Sequence, residues 1–271
     1  MPEEIQDLAL TVFSDYEITG IEQNMDKISV TFDRADYSVE LSELILERLK
    51  HFDPAIEVID TYVIGEKNWN EEWEKNVPEI KVNDRIGIAP AWKLDKLDTD
   101  IKIKINPKMS FGTGDHASTR LVCRLMEDTV QKDSFWVDAG TGTGILAILA
   151  IKLGAKECFA FDNNEWSIDN SIENIRLNNV EDKITIEEQD IDTFEIPQCD
   201  GIAANIFLNI ILKSFKKFRK ALNSGGDLIV AGILTYDKDQ VIENALANGF
   251  EVVRTIEEDE WTGFHFKAVL K

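Results

Sequence analysis

Three glycines at alternate positions stand at the centre of the stretch Phe135-Trp-Val-Asp138-Ala-Gly140-Thr-Gly142-Thr-Gly144-Ile-Leu-Ala-Ile. An apolar strand runs into them and a helix leaves them directly. Glycine lets the backbone turn sharply, and with no Cβ in the way a ligand can approach the main chain. The helix behind the turn presents unpaired N–H groups and the positive end of its dipole. The stretch therefore reads as a nucleotide-binding turn at the carboxyl edge of a sheet.

The surrounding pattern supports such a sheet. From about Ser118 the chain alternates regularly. Helices are expected at 118–130, 144–153, 165–178, 208–222 and 237–247, with strands at 135–139, 157–161, 183–188, 200–204 and 226–232. Repeated β-α units imply a parallel sheet covered on both faces. Two final strands, 250–258 and 261–270, are joined by so short a turn that they must be antiparallel. The expected fold class is thus α/β, a Rossmann-like sheet that is parallel apart from an antiparallel last strand.

The beginning of the chain is different in kind. Residues 3–12 read as a helix, 16–21 and 28–33 as strands, 39–50 as a helix and 55–64 as a further alternating strand. The order α-β-β-α-β is a small α+β unit of ferredoxin-like type, truncated by the loss of its first strand. Residues 65–78, with Trp69 and Trp73, read as a linker helix ending at Pro78. Strands at 81–90 and 101–105 are expected to form a hairpin at the entry of the main domain. The expected division is 1–62 for the small domain, 63–78 for the linker helix and 79–271 for the main domain.

Charge and cysteine content narrow the partners. The formal net charge is −22, and residues 1–64 carry 15 Asp and Glu against 4 Lys and Arg, half of that excess. Such a surface repels phosphate backbones and attracts a basic protein, so no direct nucleic-acid partner is expected. No apolar run is long enough to span a bilayer, and the acidic N-terminus does not resemble a secretory signal. Cys123, Cys158 and Cys199 lack disulfide or zinc spacing, which fits a reducing cytoplasm and no bound metal.

The glycines alone leave the nucleotide open, because Gly142-Thr-Gly144-Ile-Leu-Ala147 also satisfies the dinucleotide pattern. Asp162, ending the next strand, suits the ribose of either ligand. Asp138, the absence of Arg or Lys from the loop and the closing antiparallel pair all lean toward a cationic ligand without phosphate. S-adenosylmethionine, a sulfonium with an ammonium, fits these observations. An NAD-dependent oxidoreductase and a non-catalytic scaffold for a basic partner remain the alternatives.

Several segments, taken in order, resemble the class I methyltransferases and within them the PrmA type, the ribosomal protein L11 methyltransferases. They are Trp69-x-x-x-Trp73, Ile88-Ala-Pro90-Ala-Trp92, Phe111-Gly-Thr-Gly-Asp-His116-Ala-Ser-Thr119, Asp138 to Gly144, Asp162, Ala204-Asn205-Ile206, Ser224-Gly-Gly226 and Ala231-Gly-Ile233-Leu234. The likeness covers residues 62–271, with Ser118-Thr119 standing for a pair of threonines. The first 60 residues, where the family recognises its substrate, depart from it.

The resemblance implies cofactor contacts at Thr119, Gly140, Asp162 and Asn205, with S-adenosyl-L-methionine as methyl donor. It implies methyl transfer to α-amino or lysine ε-amino groups of a basic ribosomal protein, by positioning and without an assigned catalytic residue. His116 is not expected to act as a base. A different basic protein or small amine is the alternative substrate. Asn205-Ile-Phe-Leu208 departs from Asn-Pro-Pro-Tyr, which argues against glutamine or nucleic-acid methylation.

Overall fold

The computed structural model describes residues 3–13, 16, 18–24, 27–63, 77–106, 108 and 110–269. The chain divides into two compact units, 1–67 and 68–271. Within the first, helix α1 (Glu3–Phe13) precedes strands β1 (Gly20–Gln23) and β2 (Ile28–Thr31), and helix α2 (Val39–Lys50) follows. The strands form an antiparallel hairpin with Ile21 opposite Val30. Ser38 caps α2 by accepting the Leu41 N–H at 3.1 Å. Ala9, Val12 and Phe13 of α1 pack with Ile45 and Leu49 of α2 and with Ile56.

Among the described residues the strand expected at 55–64 is not found: residues 56–63 pair with no other described strand. Their alternation permits a strand, but a strand needs a partner edge. Only Ile56 is buried, while Val58, Ile59, Tyr62 and Val63 are exposed. The described sheet of this unit is two-stranded, and its first strand begins at Gly20 rather than at residue 16. The linker helix expected at 63–78, with Trp69 and Trp73, lies almost wholly outside the described residues.

The second unit opens with a three-stranded sheet of β3 (Ile80–Lys81), β4 (Ile86–Ala89) and β5 (Ile101–Lys104). The single strand expected at 81–90 is itself a hairpin. Asn83 accepts the N–H groups of Arg85 and Ile86 at 2.9 and 2.8 Å, turning the chain within it. β5 then returns parallel to β4 through the 3-10 turn Ala91–Lys96, so the expected hairpin between these two strands is corrected.

The main sheet follows the predicted alternation. It is built from α3 (Ala117–Thr129), β6 (Phe135–Ala139), α4 (Ile145–Leu153), β7 (Glu157–Asp162), α5 (Glu165–Leu177), β8 (Ile184–Glu188) and β9 (Cys199–Asn205). The chain continues through α6 (Leu208–Ala221), β10 (Leu222–Leu234), α7 (Lys238–Ala247), β11 (Phe250–Glu258) and β12 (Trp261–Ala268). Strand order is β11-β12-β10-β9-β6-β7-β8. Only β12 runs against the others, inserted between β10 and β11 and antiparallel to both.

The sheet buries both faces. One carries Val122, Leu125 and Met126 of α3 with Leu146, Ile148 and Leu149 of α4. The other carries Ile211, Phe215 and Phe218 of α6 with Phe250, Phe264 and Phe266. Each such side chain contributes roughly 1.5–3 kcal/mol by leaving water. Close packing also dictates Gly201, where a Cβ would stand 2.4–2.7 Å from the Trp136 indole.

Candidate active site

Sheet order fixes where a ligand can bind. From β6 the chain moves outward through β7 and β8, then crosses back to β9 and β10. The crevice at the carboxyl ends of β6 and β9 is therefore the switch point. Ala139 is level with Phe161 of β7 and Ala204 of β9. The residues that follow each of these, Gly140, Asp162 and Asn205, thus share one level along the rim.

The glycine loop is held from both ends. Gly140 and Thr141 donate their N–H groups to Phe161 O at 2.9 and 3.0 Å. Asp138, 1% exposed, accepts the Thr141 hydroxyl at 2.7 Å and the Ala147 N–H at 3.1 Å through Oδ2. Asp162 accepts the Gly142 N–H at 3.0 Å through one oxygen and the Asn164 N–H at 3.1 Å through the other. Gly140, Gly142 and Gly144 have φ values of +76°, +54° and +82°, a region that costs other residues strain.

The Phe111–Thr119 segment closes over this loop. Thr143 donates its N–H to Phe111 O at 3.0 Å and its hydroxyl to Gly112 O at 2.6 Å. His116 caps α3, its Nδ1 accepting the Ser118 N–H at 3.3 Å. Its ring packs edge-on between Phe111 and Trp261, with centroids 5.3 and 4.6 Å away. Burial, then the Arg120 charge, holds the imidazole below its ordinary value and disfavours the charged form. Arg120 and Arg124 both grip Glu258, tying the β11–β12 turn to α3.

The four residues singled out from the sequence converge here. Asn205 donates Nδ2 to Thr119 Oγ1 at 3.2 Å, across 86 positions of sequence. Thr119 is fully buried in the first turn of α3, whose cap is His116. Gly140 and Asp162 lie across the crevice edge from them. Two acceptors at this rim, Asn205 Oδ1 and Asp138 Oδ1, are buried without a partner. Buried unpaired acceptors call for a donor.

Ile206, which the sequence marks only as a motif residue without a role, fills the space a Cβ on Gly140 would need, 2.3 Å away. The sequence weighs Asp138 only as a charge. It also leaves Trp261 outside the site. The only local signal for Trp261 was an aromatic just after the closing turn.

This arrangement suits a cationic, phosphate-free nucleoside. Asp162 stands at the rim, the buried acceptors Asn205 Oδ1 and Asp138 Oδ1 lack a donor, and no cation lies in the glycine loop. Gly142 gives a direct check. A Cβ there would stand 2.4 Å from the Phe111 carbonyl oxygen, a backbone atom that cannot swing aside. Gly142→Ala is therefore expected to weaken binding of S-adenosylhomocysteine at least about tenfold and to destabilise the fold by roughly 1–3 kcal/mol. Calorimetry and thermal unfolding of the variant read both; native affinity would show that the Phe111 contact is dispensable.

A seven-stranded sheet with one reversed strand, a glycine loop after its first strand and an acid after the second define a class I S-adenosylmethionine-dependent methyltransferase. The chain belongs to the family described as ribosomal protein L11 methyltransferase (PrmA), whose profile matches residues 5–269. The match reaches into the first 60 residues, where the motif resemblance is weakest.

A relative from Acetivibrio thermocellus, "Ribosomal protein L11 methyltransferase", is 34% identical over 235 residues, covering 85% of this chain and 75% of that protein. One of the same name from Chlorobaculum tepidum is 33% identical, covering 95% of this chain and 91% of its own. A crystal structure of ribosomal protein L11 methylase from Lactobacillus delbrueckii subsp. bulgaricus superposes with a TM-score of 0.64 at 27% identity. The superposition covers 70% of this chain and 97% of that one. No helix among the described residues is long and apolar enough to cross a membrane.

Proposed function

We propose that this chain transfers methyl groups from S-adenosylmethionine to amino groups of ribosomal protein L11. The observation that carries the reading is the family match across residues 5–269, joined to a crevice whose polar groups suit that donor. S-adenosylmethionine supplies an electrophilic methyl on a sulfonium, so the protein's task is placement. Asp162 accepts the ribose hydroxyls, a role that suits a group with acceptors only. Gly140, its N–H held by Phe161, borders the aminoacyl part of the donor, and Asn205 with Thr119 completes the site.

The attacking amine must be neutral. An α-amine with a value near ~7.7–8.0 already is in part, whereas a lysine near ~10.4 has to lose a proton first. A dry crevice disfavours the charged ammonium and assists that loss. Holding amine and methyl at about 3–3.5 Å supplies most of the remaining acceleration. No side chain is assigned as a general base, and His116 is occupied as a helix cap.

The acidic residues 1–62 are the part suited to recruiting a basic protein. Steering of this kind acts on association and fades with ionic strength. Methylation of the protein is therefore expected to slow on the order of tenfold between low and high salt, with donor affinity nearly unchanged. Equal salt sensitivity of the two would assign those residues another role.

Mass spectrometry of purified L11 after incubation with enzyme and donor tests the reaction itself. Mass gains in units of one methyl group, absent from unrelated basic proteins, are expected. Unmodified L11 in the presence of enzyme that binds S-adenosylhomocysteine would reject the substrate and leave the methyltransferase class standing.

A further inference from the structure

The outer edge of the three-stranded sheet is completed by side chains instead of a strand. On its inner side β5 meets β4, and the Ile105 N–H just beyond it reaches Ala89 O at 3.0 Å. The N–H and C=O of Lys104 and Asn106 face the other way, toward α5. There Asn178 accepts the Lys104 N–H at 3.0 Å and donates back to the Lys104 C=O at 2.7 Å. Asn174 treats Asn106 alike, accepting at 2.7 Å and donating at 3.4 Å. Its Nδ2 also reaches Thr143 O in the glycine loop at 2.9 Å.

The two chains keep step for a geometric reason. Two residues of extended backbone advance about 6.6 Å, and four residues of helix advance about 6 Å. Asparagines at i and i+4 therefore match backbone groups at i and i+2. The directions are opposed, so the step from 104 to 106 corresponds to the step from 178 down to 174. By the same spacing, a next rung would set Lys108 against Asn170.

That rung is half made. Asn170 is 1% exposed, with Nδ2 turned back to the Asn106 C=O at 3.1 Å, which Asn174 already uses. Its Oδ1 is buried without a partner. Lys108 stands at φ +26°, disfavoured for any residue with a side chain. Its ammonium is held by Glu173, a helical neighbour of Asn170. An unpartnered buried acceptor on Asn170 and a strained backbone at Lys108 thus lie on the two segments that the Lys108–Glu173 pair joins, and Phe111 and Gly112, which follow Lys108, grip the glycine loop through Thr143.

We propose that Asn170 is a positioning residue for the methyl donor, its Oδ1 accepting the backbone N–H of Lys108 when the donor is bound. The third rung relaxes Lys108 toward extended geometry and braces the chain leading to Phe111 against the donor loop. This rests on the donor assignment made above.

Amide exchange measured residue by residue in the full-length protein, with and without S-adenosylhomocysteine, tests it. The Lys108 amide is expected to slow at least about tenfold on ligand binding, and Asn170→Ala to abolish that slowing. The same variant is expected to weaken donor binding about three- to tenfold, the worth of one net hydrogen bond, and to raise KM for the donor more than it lowers kcat. Asn170→Asp keeps the acceptor, so it should retain slowed exchange at Lys108 even where it binds donor less well.

Ligand that binds by calorimetry yet leaves Lys108 exchange unchanged in the wild type overturns the inference. So does ligand-induced slowing that survives in Asn170→Ala. Failure of S-adenosylhomocysteine to bind at all would instead overturn the donor assignment.

Discussion

Replacing Asp162 by alanine is expected to weaken binding of S-adenosylmethionine or its demethylated product by about 10²–10⁴-fold while the chain stays folded. Two hydrogen bonds from ribose hydroxyls to a carboxylate are worth roughly 1.5–3 kcal/mol each, which gives that range. The oxygens already accept the Gly142 and Asn164 N–H groups, and each retains a second lone pair for a hydroxyl.

The Asn164 N–H is exposed and water can replace its acceptor, whereas Gly142 is buried, so loss of its partner sets the structural cost at about 1–3 kcal/mol. Asp162→Asn, which keeps one acceptor, should fall between wild type and alanine. Calorimetry on variants that still unfold cooperatively reads the effect. Near-native donor affinity in Asp162→Ala would remove Asp162 from the site.

Asp138 should show the opposite balance of stability and binding. Burial pushes its carboxyl up from 3.8 to about 7, against the pull of the Thr141 hydroxyl and the Ala147 N–H. The folded protein thus retains a proton that the unfolded chain releases. The associated stability is full below pH 3.8 and is lost as the pH rises through about 7.

At pH 8 the ionised, half-paired carboxylate costs the unliganded protein on the order of 2–4 kcal/mol. Asp138→Asn should therefore raise the unfolding midpoint at pH 8, and by clearly less at pH 5, where only about a third of the linked stability is lost. The same change should weaken the donor on the order of 10²-fold, since a buried counter-charge for its ammonium disappears. Wild-type affinity should tighten from pH 6 to pH 8, and the variant's should not. Equal affinities at both pH values, or no gain in stability at pH 8, would place Asp138 in loop support alone.

Much of the main domain was legible before any coordinates. Strand β6 falls at 135–139 as expected, and β7, α5 and β9 begin or end within a residue or two of their expected limits. Each of these segments carries its own period of apolar residues, and the turns between them are punctuated by glycine. Asp162 and Asn205 were readable as strand ends for the same reason. The small domain was harder to read. Ala55 to Ile64 alternates as a strand would, but a period of two states only that a strand could form, and the edge it needs lies elsewhere in the chain.

By itself the sequence determined the order of β-α units, the glycine loop, the acid after the second strand and the antiparallel closing pair. All of these are set by contiguous residues, through side-chain periodicity, glycine's access to positive φ and the length of a turn. Only the tertiary structure decided what joins distant segments. It placed β12 between β10 and β11 and made 81–90 a hairpin with β5 parallel to it. It also brought Asn205 to Thr119, buried Asp138 deeply enough to hold a proton near neutrality and lent the asparagines of α5 to the edge of β5. Burial and cross-chain hydrogen bonds depend on which surfaces meet, and no local pattern records that.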